Sequence, residues 1–221
     1  EARSIADLNQ LLQGVLQDTT RVQEQALQAR DHLGNARREV EQAEARIAEL
    51  EQELRDVSGL VRTDPLTGAL NRRGFDELLE RELARAARHA HPLALALLDL
   101  DDFHQTNEAH GHPGGDAILR HLVTVCQLLL RSSDTIARIG GDEFVLLMPE
   151  TPGADSMSTL QRLQRSLAQR PLQLDGKRVP VHFSAGLSQW QPGESGDALL
   201  KRADAALYAA KRVGKNRVQA G

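Results

Sequence analysis

Residues 135–148 read Thr-Ile-Ala-Arg-Ile-Gly-Gly-Asp-Glu-Phe-Val-Leu-Leu-Met, and this stretch decides the fold. Two runs rich in apolar and β-branched residues, Thr135–Ile139 and Glu143–Met148, flank Gly140-Gly141, the pattern of a β-hairpin. Asp142 and Glu143 follow the glycines directly, so the hairpin carries two carboxylates at its tip. Upstream, Leu93–Leu100 (LALALLDL) is a continuous apolar run behind Pro92, as expected of a central strand buried on both faces. It leads into Asp99-Leu100-Asp101-Asp102, a second acidic cluster. If this strand neighbours the hairpin, both clusters meet at one edge of the sheet. Carboxylates gathered in this way repel one another unless a cation neutralises them. Oxygen ligands without cysteine favour Mg²⁺ or Mn²⁺ over zinc.

The flanking sequence supplies helices to cover such a sheet. Residues 72–90 place Phe75, Leu78, Leu79, Leu83 and Ala86 on one helical face, and residues 114–130 turn Ile118, Leu119, Leu122, Val125 and Leu129 inward. Cys126 belongs in or beside that core. Residues 155–169 and 197–213 are further helices. Leu172–Leu174 and Arg178–Val181 flank Asp175-Gly176, a second hairpin signal, and Phe183–Gln189 continues as strand. Hairpins mixed with a βα crossover indicate an α+β fold, a central sheet with antiparallel pairs flanked by helices.

The first sixty residues have a different character. All eight prolines lie at or beyond Pro65, and every aromatic residue lies at or beyond Phe75. A heptad count from Ile5 gives Ile5, Leu12, Thr19, Ala26, Leu33, Val40, Ile47, Leu54 and Val61 at one seam position. The other seam position holds Leu8, Val15, Val22, Ala29, Ala36, Ala43, Leu50 and Val57. Only Thr19 is polar and the phase never slips, which predicts a coiled coil. Thr63-Asp64-Pro65-Leu66-Thr67-Gly68 ends it, since Pro65 disfavours a helical Asp64. The expected organisation is a parallel, dimerising and signalling coil over 1–62 and a globular domain over 63–221.

Composition narrows the possibilities. The chain has 221 residues, 40% hydrophobic and 26% charged, which fits a folded protein. No apolar run approaches the ~20 residues that cross a bilayer, so no membrane contact is expected within this fragment. One cysteine excludes a disulfide framework and fits a reducing, cytoplasmic setting. A net charge of −4 gives no general attraction to a nucleic acid polymer. The chain begins at Glu1 without a signal-peptide pattern, as an excised fragment would, and a parent protein tethered to a membrane upstream is compatible with this.

Beyond these features, Arg138-Ile139-Gly140-Gly141-Asp142-Glu143-Phe144 resembles the signature for which the bacterial GGDEF family of diguanylate cyclases is named. Asp64-Pro65-Leu66-Thr67-Gly68 with Asn71-Arg72-Arg73-Gly74-Phe75 is similar to the family's opening motif. Asp99-Leu100-Asp101-Asp102-Phe103, Asn107 and Gly111-His112-Pro113-Gly114-Gly115-Asp116 resemble its metal- and guanine-binding segment. Ala203-Asp204-Ala205-Ala206-Leu207-Tyr208-Ala209-Ala210-Lys211 with Gly214-Lys215-Asn216 resembles its closing helix. The resemblance implies a palm-like fold related to nucleotide cyclases and polymerases. It implies condensation of two GTP into cyclic di-GMP and two pyrophosphates by a homodimer holding one GTP per domain.

The resemblance also implies residue roles. Asp99, the Leu100 carbonyl and Asp142 would hold Mg²⁺ or Mn²⁺; Glu143 would contact metal or assist deprotonation, and Asp142 and Glu143 are the catalytic pair. GTP would meet Gly140 and Gly141 at the hairpin, and the segment from Asp102 through Phe103 and His104 to Gln105 at the phosphates. Asn107 and Asp116, with His112 in the same segment, would read guanine, and Lys211 and Lys215 would meet the outer phosphates. His104, Thr106, Glu108 and Lys215 depart from the family's usual Lys, aliphatic, Asp and Arg. His104, His110 and His112 are not read as a zinc site, since His110 and His112 lie where no strand or helix is evident to orient them. Arg131 and Asp134, in Arg131-Ser132-Ser133-Asp134, resemble the family's inhibitory product site for cyclic di-GMP. The competing function is a catalytically weak domain that senses GTP or cyclic di-GMP.

Overall fold

In the computed structural model, the described residues are 62–174 and 176–221 together with the helical positions Val40, Gln42, Glu44, Arg46 and Ile47. The remainder of the expected coil lies outside them, as does Asp175. Val61–Gly221 forms one compact unit. Its strands are β1 (Leu70–Asn71), β2 (Leu93–Leu100), β3 (Thr135–Arg138), β4 (Glu143–Pro149), β5 (Leu172–Leu174), β6 (Lys177–Val179), β7 (Phe183–Gln189) and β8 (Val218–Ala220). Its helices are α1 (Arg72–His89), α2 (Phe103–Leu129), α3 (Gly153–Gln169) and α4 (Gly196–Arg212).

Six strands form one sheet in the order β1-β3-β4-β2-β7-β8, while β5 and β6 make a separate hairpin. The outermost pairs, β1 with β3 and β7 with β8, are parallel; the inner pairs are antiparallel. β2 lies between β4 and β7, and every residue of it is buried. Alternation explains its unbroken apolar run. Ala94, Ala96, Leu98 and Leu100 face a core with Ile118, Leu119 and Leu122 of α2 and Leu160, Leu163 and Leu167 of α3. Leu93, Leu95 and Leu97 face a second core with Phe75 and Leu79 of α1 and Leu199, Ala203 and Leu207 of α4. The sheet therefore has helices on both faces, the expected α+β architecture. Cys126 is fully buried in the first core, and burial pushes its thiol pKa up.

Side-chain caps place the starts of two helices. Asn71 starts α1 by accepting from the Gly74 N–H at 2.9 Å, and the Ser195 hydroxyl starts α4 by accepting from the Ala198 N–H at 3.3 Å. Three features differ from the sequence expectation. A helical segment from Phe103 precedes the helix expected at 114–130, and Gly111, with non-helical backbone angles (φ 67°, ψ 176°), separates the two within α2. Pro113 then opens the second segment, where a missing N–H is harmless. The stretch with His110 and His112, read as lacking an element, is thus largely helical. The short strands β1 and β8 were not anticipated, and β6 ends at Val179 rather than Val181. No helix among the described residues is long and apolar enough to cross a membrane.

Candidate active site

The pairing of β2 with β4 sets Asp99 opposite Glu143 and brings the two acidic clusters together. The Leu100 N–H donates to the Asp142 carbonyl at 3.3 Å, which locks the hairpin tip to the end of β2. Beside this junction lies an open cleft of about 300 Å³, lined by Asp99, Leu100, Asp101, Asp102, Phe103, His104, Gln105, Asp142, Lys211 and Lys215. Lys211 and Lys215 reach it from the end of α4 and from the loop after it. Lys211 Nζ is 2.7 Å from Asp99 Oδ2, and Lys215 Nζ is 2.6 Å from Asp102 Oδ1. A row of acids is thus paired with two cations at the cleft.

Burial pushes the Asp99 carboxyl pKa up; Lys211 opposes this by hydrogen bond and charge, and the negative charges of Asp142 and Asp101 add to it. The hydrogen bond and charge of Asp102 raise the Lys215 pKa. The donor set suits a hard divalent cation: two carboxylates, Asp99 and Asp142, with a main-chain carbonyl between them in sequence, and crowded negative charge that such a cation would neutralise. Among the described residues no three His, Cys, Asp or Glu side chains converge on one point. The expected metal ligands include a carbonyl, and Lys211 holds one Asp99 oxygen in this conformation.

The hairpin tip is braced from a part of the chain whose role the sequence did not disclose. The Arg138 guanidinium donates to the Gly141 carbonyl at 2.7 and 3.1 Å and to both Asp64 carboxylate oxygens at 3.3 Å. Asp64 also accepts from the Thr67 hydroxyl at 2.6 Å and the Thr67 N–H at 2.9 Å. Burial works against the Asp64 charge, but Thr67 and Arg138 together hold its pKa below the usual carboxylate value. The first motif of the domain and the acidic tip are therefore one hydrogen-bonded unit. Their spacing of 74 residues leaves no local pattern by which to find it.

The other expected site residues fall into three groups. Glu143 does not line the cleft; one of its carboxylate oxygens lies 2.6 Å from where a Gly140 side chain would begin. The space at Gly140 is thus filled by the hairpin's own acid, while nothing lies within 4 Å of the corresponding point on Gly141. His104 sits at the cleft but pairs outward with Glu108 at 3.3 Å. Asn107, His112 and Asp116 lie farther along α2 and are not among the cleft's lining residues. Asn107 Oδ1 occupies the space that a Gly115 side chain would need, and Asp116 is 3.9 Å from Arg120.

Arg131 and Asp134 sit at the far end of β3. The Arg131 N–H donates to Asp134 Oδ2 at 3.1 Å, and the Asp134 N–H donates to the Arg131 carbonyl at 3.0 Å. Asp134 Oδ1 is buried without a hydrogen-bond partner among the described residues.

Comparison with known proteins places this arrangement. Residues 61–217 match the family described as diguanylate cyclase, GGDEF domain. Diguanylate cyclase DgcP of Pseudomonas aeruginosa is 41% identical over 157 residues, 71% of this chain and 23% of DgcP. The chain thus spans about a quarter of that relative. The coiled coil and GGDEF domain of DgcB from Caulobacter crescentus, solved in complex with c-di-GMP, is 33% identical, with 82% of this chain and 97% of that one covered and a TM-score of 0.70. Diguanylate cyclase SiaD of Pseudomonas aeruginosa, solved with its activator SiaC, is 30% identical, with 99% and 86% covered and a TM-score of 0.71. The chain, with its intact Gly-Gly-Asp-Glu-Phe tip locked against the acidic end of β2, belongs to the GGDEF-domain diguanylate cyclase family.

Proposed function

We propose that this domain condenses two GTP into cyclic di-GMP, each domain of a homodimer holding one nucleotide. The observation that carries the reading is the cleft in which Asp99 and Asp142 face Lys211 and Lys215. That pattern suits a triphosphate accompanied by a divalent cation. Each 3′-oxygen bonds to the α-phosphorus of the other nucleotide as the bond to pyrophosphate breaks, and the hydroxyl proton leaves to Glu143 or solvent. Asp99, the Leu100 carbonyl and Asp142 would hold Mg²⁺ or Mn²⁺, with Glu143 as a further contact. When bound, the cation supplies charge neutralisation and a lowered pKa for the attacking hydroxyl. Lys211 and Lys215 move from their carboxylate partners onto the outer phosphates. Main-chain N–H groups at the start of α2, from Phe103 to Gln105, cradle phosphate oxygens. Asn107 and Asp116 read guanine, because a carboxylate accepts from N1–H and N2–H together, which adenine does not offer. Incubation with GTP and Mg²⁺ should yield cyclic di-GMP and pyrophosphate by chromatography; GTP left intact overturns the reading.

Dimerisation is assigned to the coil over 1–62. The seam residues Val40 and Ile47, seven apart, are each 56% exposed, as residues awaiting a partner helix would be. Tethering two domains raises their effective concentration. Deletion of residues 1–61 should therefore make specific activity rise steeply with protein concentration, and a concentration-independent activity would remove this role from the coil.

Product feedback is assigned to Arg131 and Asp134. The Arg131 side chain suits phosphate and the O6 and N7 acceptors of guanine, and Asp134 Oδ1 has no hydrogen-bond partner to give up among the described residues. Arg131→Ala should leave initial rates unchanged and weaken cyclic di-GMP binding by about 1.5–3 kcal/mol, on the order of 10–100-fold. Equal binding of cyclic di-GMP by the two proteins in calorimetry would rule the site out.

A further inference from the structure

Three segments remote in sequence meet at Asp101. Its Oδ1 accepts from Ser184 Oγ of β7 at 2.8 Å, and its Oδ2 accepts from the Asn216 N–H at 2.8 Å. Its own N–H donates to the His182 carbonyl at 3.0 Å. Ser184 is completely buried, so one anchor is part of the core. Both carboxylate oxygens of Asp101 are thereby engaged by the scaffold.

The other anchor is an unusual loop. Gly214, Lys215 and Asn216 have φ values of 122°, 55° and 45°, and residues with a side chain rarely adopt such values. A run of this kind persists only where surrounding bonds over-determine it. The Asn216 N–H bond to Asp101 is a charge-assisted one, and the Arg217 guanidinium adds a bond to the Lys215 carbonyl at 3.2 Å. Lys215 directly precedes Asn216, and its ammonium reaches the cleft beside Asp102. Whatever fixes the Asn216 amide fixes the base of the Lys215 side chain.

We propose that Asp101 is a positioning residue, which acts through the Gly214–Asn216 loop to aim Lys215 at the nucleotide's outer phosphates and is not itself a metal ligand. This rests on the reading of the cleft as a GTP site. The sequence shows Asp101 only as one acid among several, equivalent by charge to Asp99; its partners on β7 and before β8 separate the two roles.

The test uses the full chain, Mg²⁺, and two probes that do not turn over: 3′-deoxy-GTP, which lacks the attacking hydroxyl, and GMP, which lacks the outer phosphates. Calorimetry should show Asp101→Ala weakening 3′-deoxy-GTP roughly tenfold while leaving GMP within about twofold. Asp101→Asn should rescue most of the loss, since its amide oxygen still accepts from Asn216 and its NH₂ donates to Ser184. Lys215→Ala should reproduce the Asp101→Ala pattern. The double variant should be no weaker than the worse single one beyond about twofold, because both changes remove the same contact.

Full additivity, an equal loss for GMP, or Asp101→Asn as weak as Asp101→Ala would overturn the proposal. Should Asp101→Ala fail to fold, Ser184→Ala removes one anchor and keeps the charge. It should cost about threefold for 3′-deoxy-GTP alone, and no such selective loss overturns the role. Failure of the unaltered chain to bind 3′-deoxy-GTP would overturn the GTP site and this role with it. Binding by the unaltered chain with additive variants would overturn the role alone.

Discussion

Asp99→Asn and Asp142→Asn are each expected to lower turnover of GTP on the order of 100-fold or more, because each removes a carboxylate proposed to hold the divalent cation, in chemistry that depends on stabilised charge. The fold should not suffer. Burial pushes the Asp99 pKa up in the folded protein, Lys211 opposes this, and Asp142 and Asp101 add to it. A folded pKa above the unfolded one means that ionisation of Asp99 works against folding as pH rises through that range. A neutral isostere removes this penalty. The Lys211 ammonium it leaves behind is 38% exposed and stays solvated. Thermal melting of Asp99→Asn at neutral pH without divalent cation should therefore match the unaltered chain or lie slightly above it. Calorimetric melting and a pyrophosphate-release assay on the same preparations check both halves. Turnover close to normal in both variants would remove Asp99 and Asp142 from the active site.

Gly186→Ala is expected to be the most damaging single-methyl change in the domain, costing about 3 kcal/mol or more, with Gly186→Val failing to fold. Gly186 sits in β7, paired with Leu97 of β2 on one side and Gln219 of β8 on the other. An added Cβ would meet the Ala203 carbonyl and the Leu207 N–H, with the Ala206 carbonyl carbon at 2.9 Å. These are main-chain atoms of α4, so no side chain can swing aside and the whole helix must lift from the sheet. Lys211 rides on that helix, and nucleotide affinity should fall along with stability. Gly141→Ala is the matched control: nothing lies within 4 Å of its added methyl, and its melting temperature should be unchanged. Chemical denaturation of the three proteins measures the difference; equal midpoints for Gly186→Ala and Gly141→Ala would show that α4 does not bear on β7 as described.

Much of this protein was legible in the chain because the signals were local. The alternation-free apolar run of β2 specified burial on both faces, Gly140-Gly141 between two apolar runs specified a hairpin, and the periodicity of 72–90 and 114–130 specified helices. Each depends on residues within one element, where period and turn chemistry act directly. The acidic clusters could be named in the same way, and the inference that they meet needed only the adjacency of β2 and β4.

Tertiary structure alone decided the rest. β1 and β8 have two and three residues, too few to carry a pattern, and exist because a neighbouring strand offers its edge. The helical segment from Phe103 ahead of 114 was not anticipated either, because Gly111 and Pro113 lie between it and the expected helix. Gly111 ends one helical segment and Pro113 lies in the first turn of the next, so neither interrupts a helix. The different parts played by Asp99, Asp101 and Asp102 follow from Lys211, Ser184 with the Asn216 amide, and Lys215 respectively. The brace from Asp64 to Arg138 has the same character. Carboxylates alike in sequence come to line the cleft, tie the scaffold or brace the hairpin tip only through partners brought from remote parts of the chain, since hydrogen bonds and charge act through space while sequence patterns report only nearest neighbours.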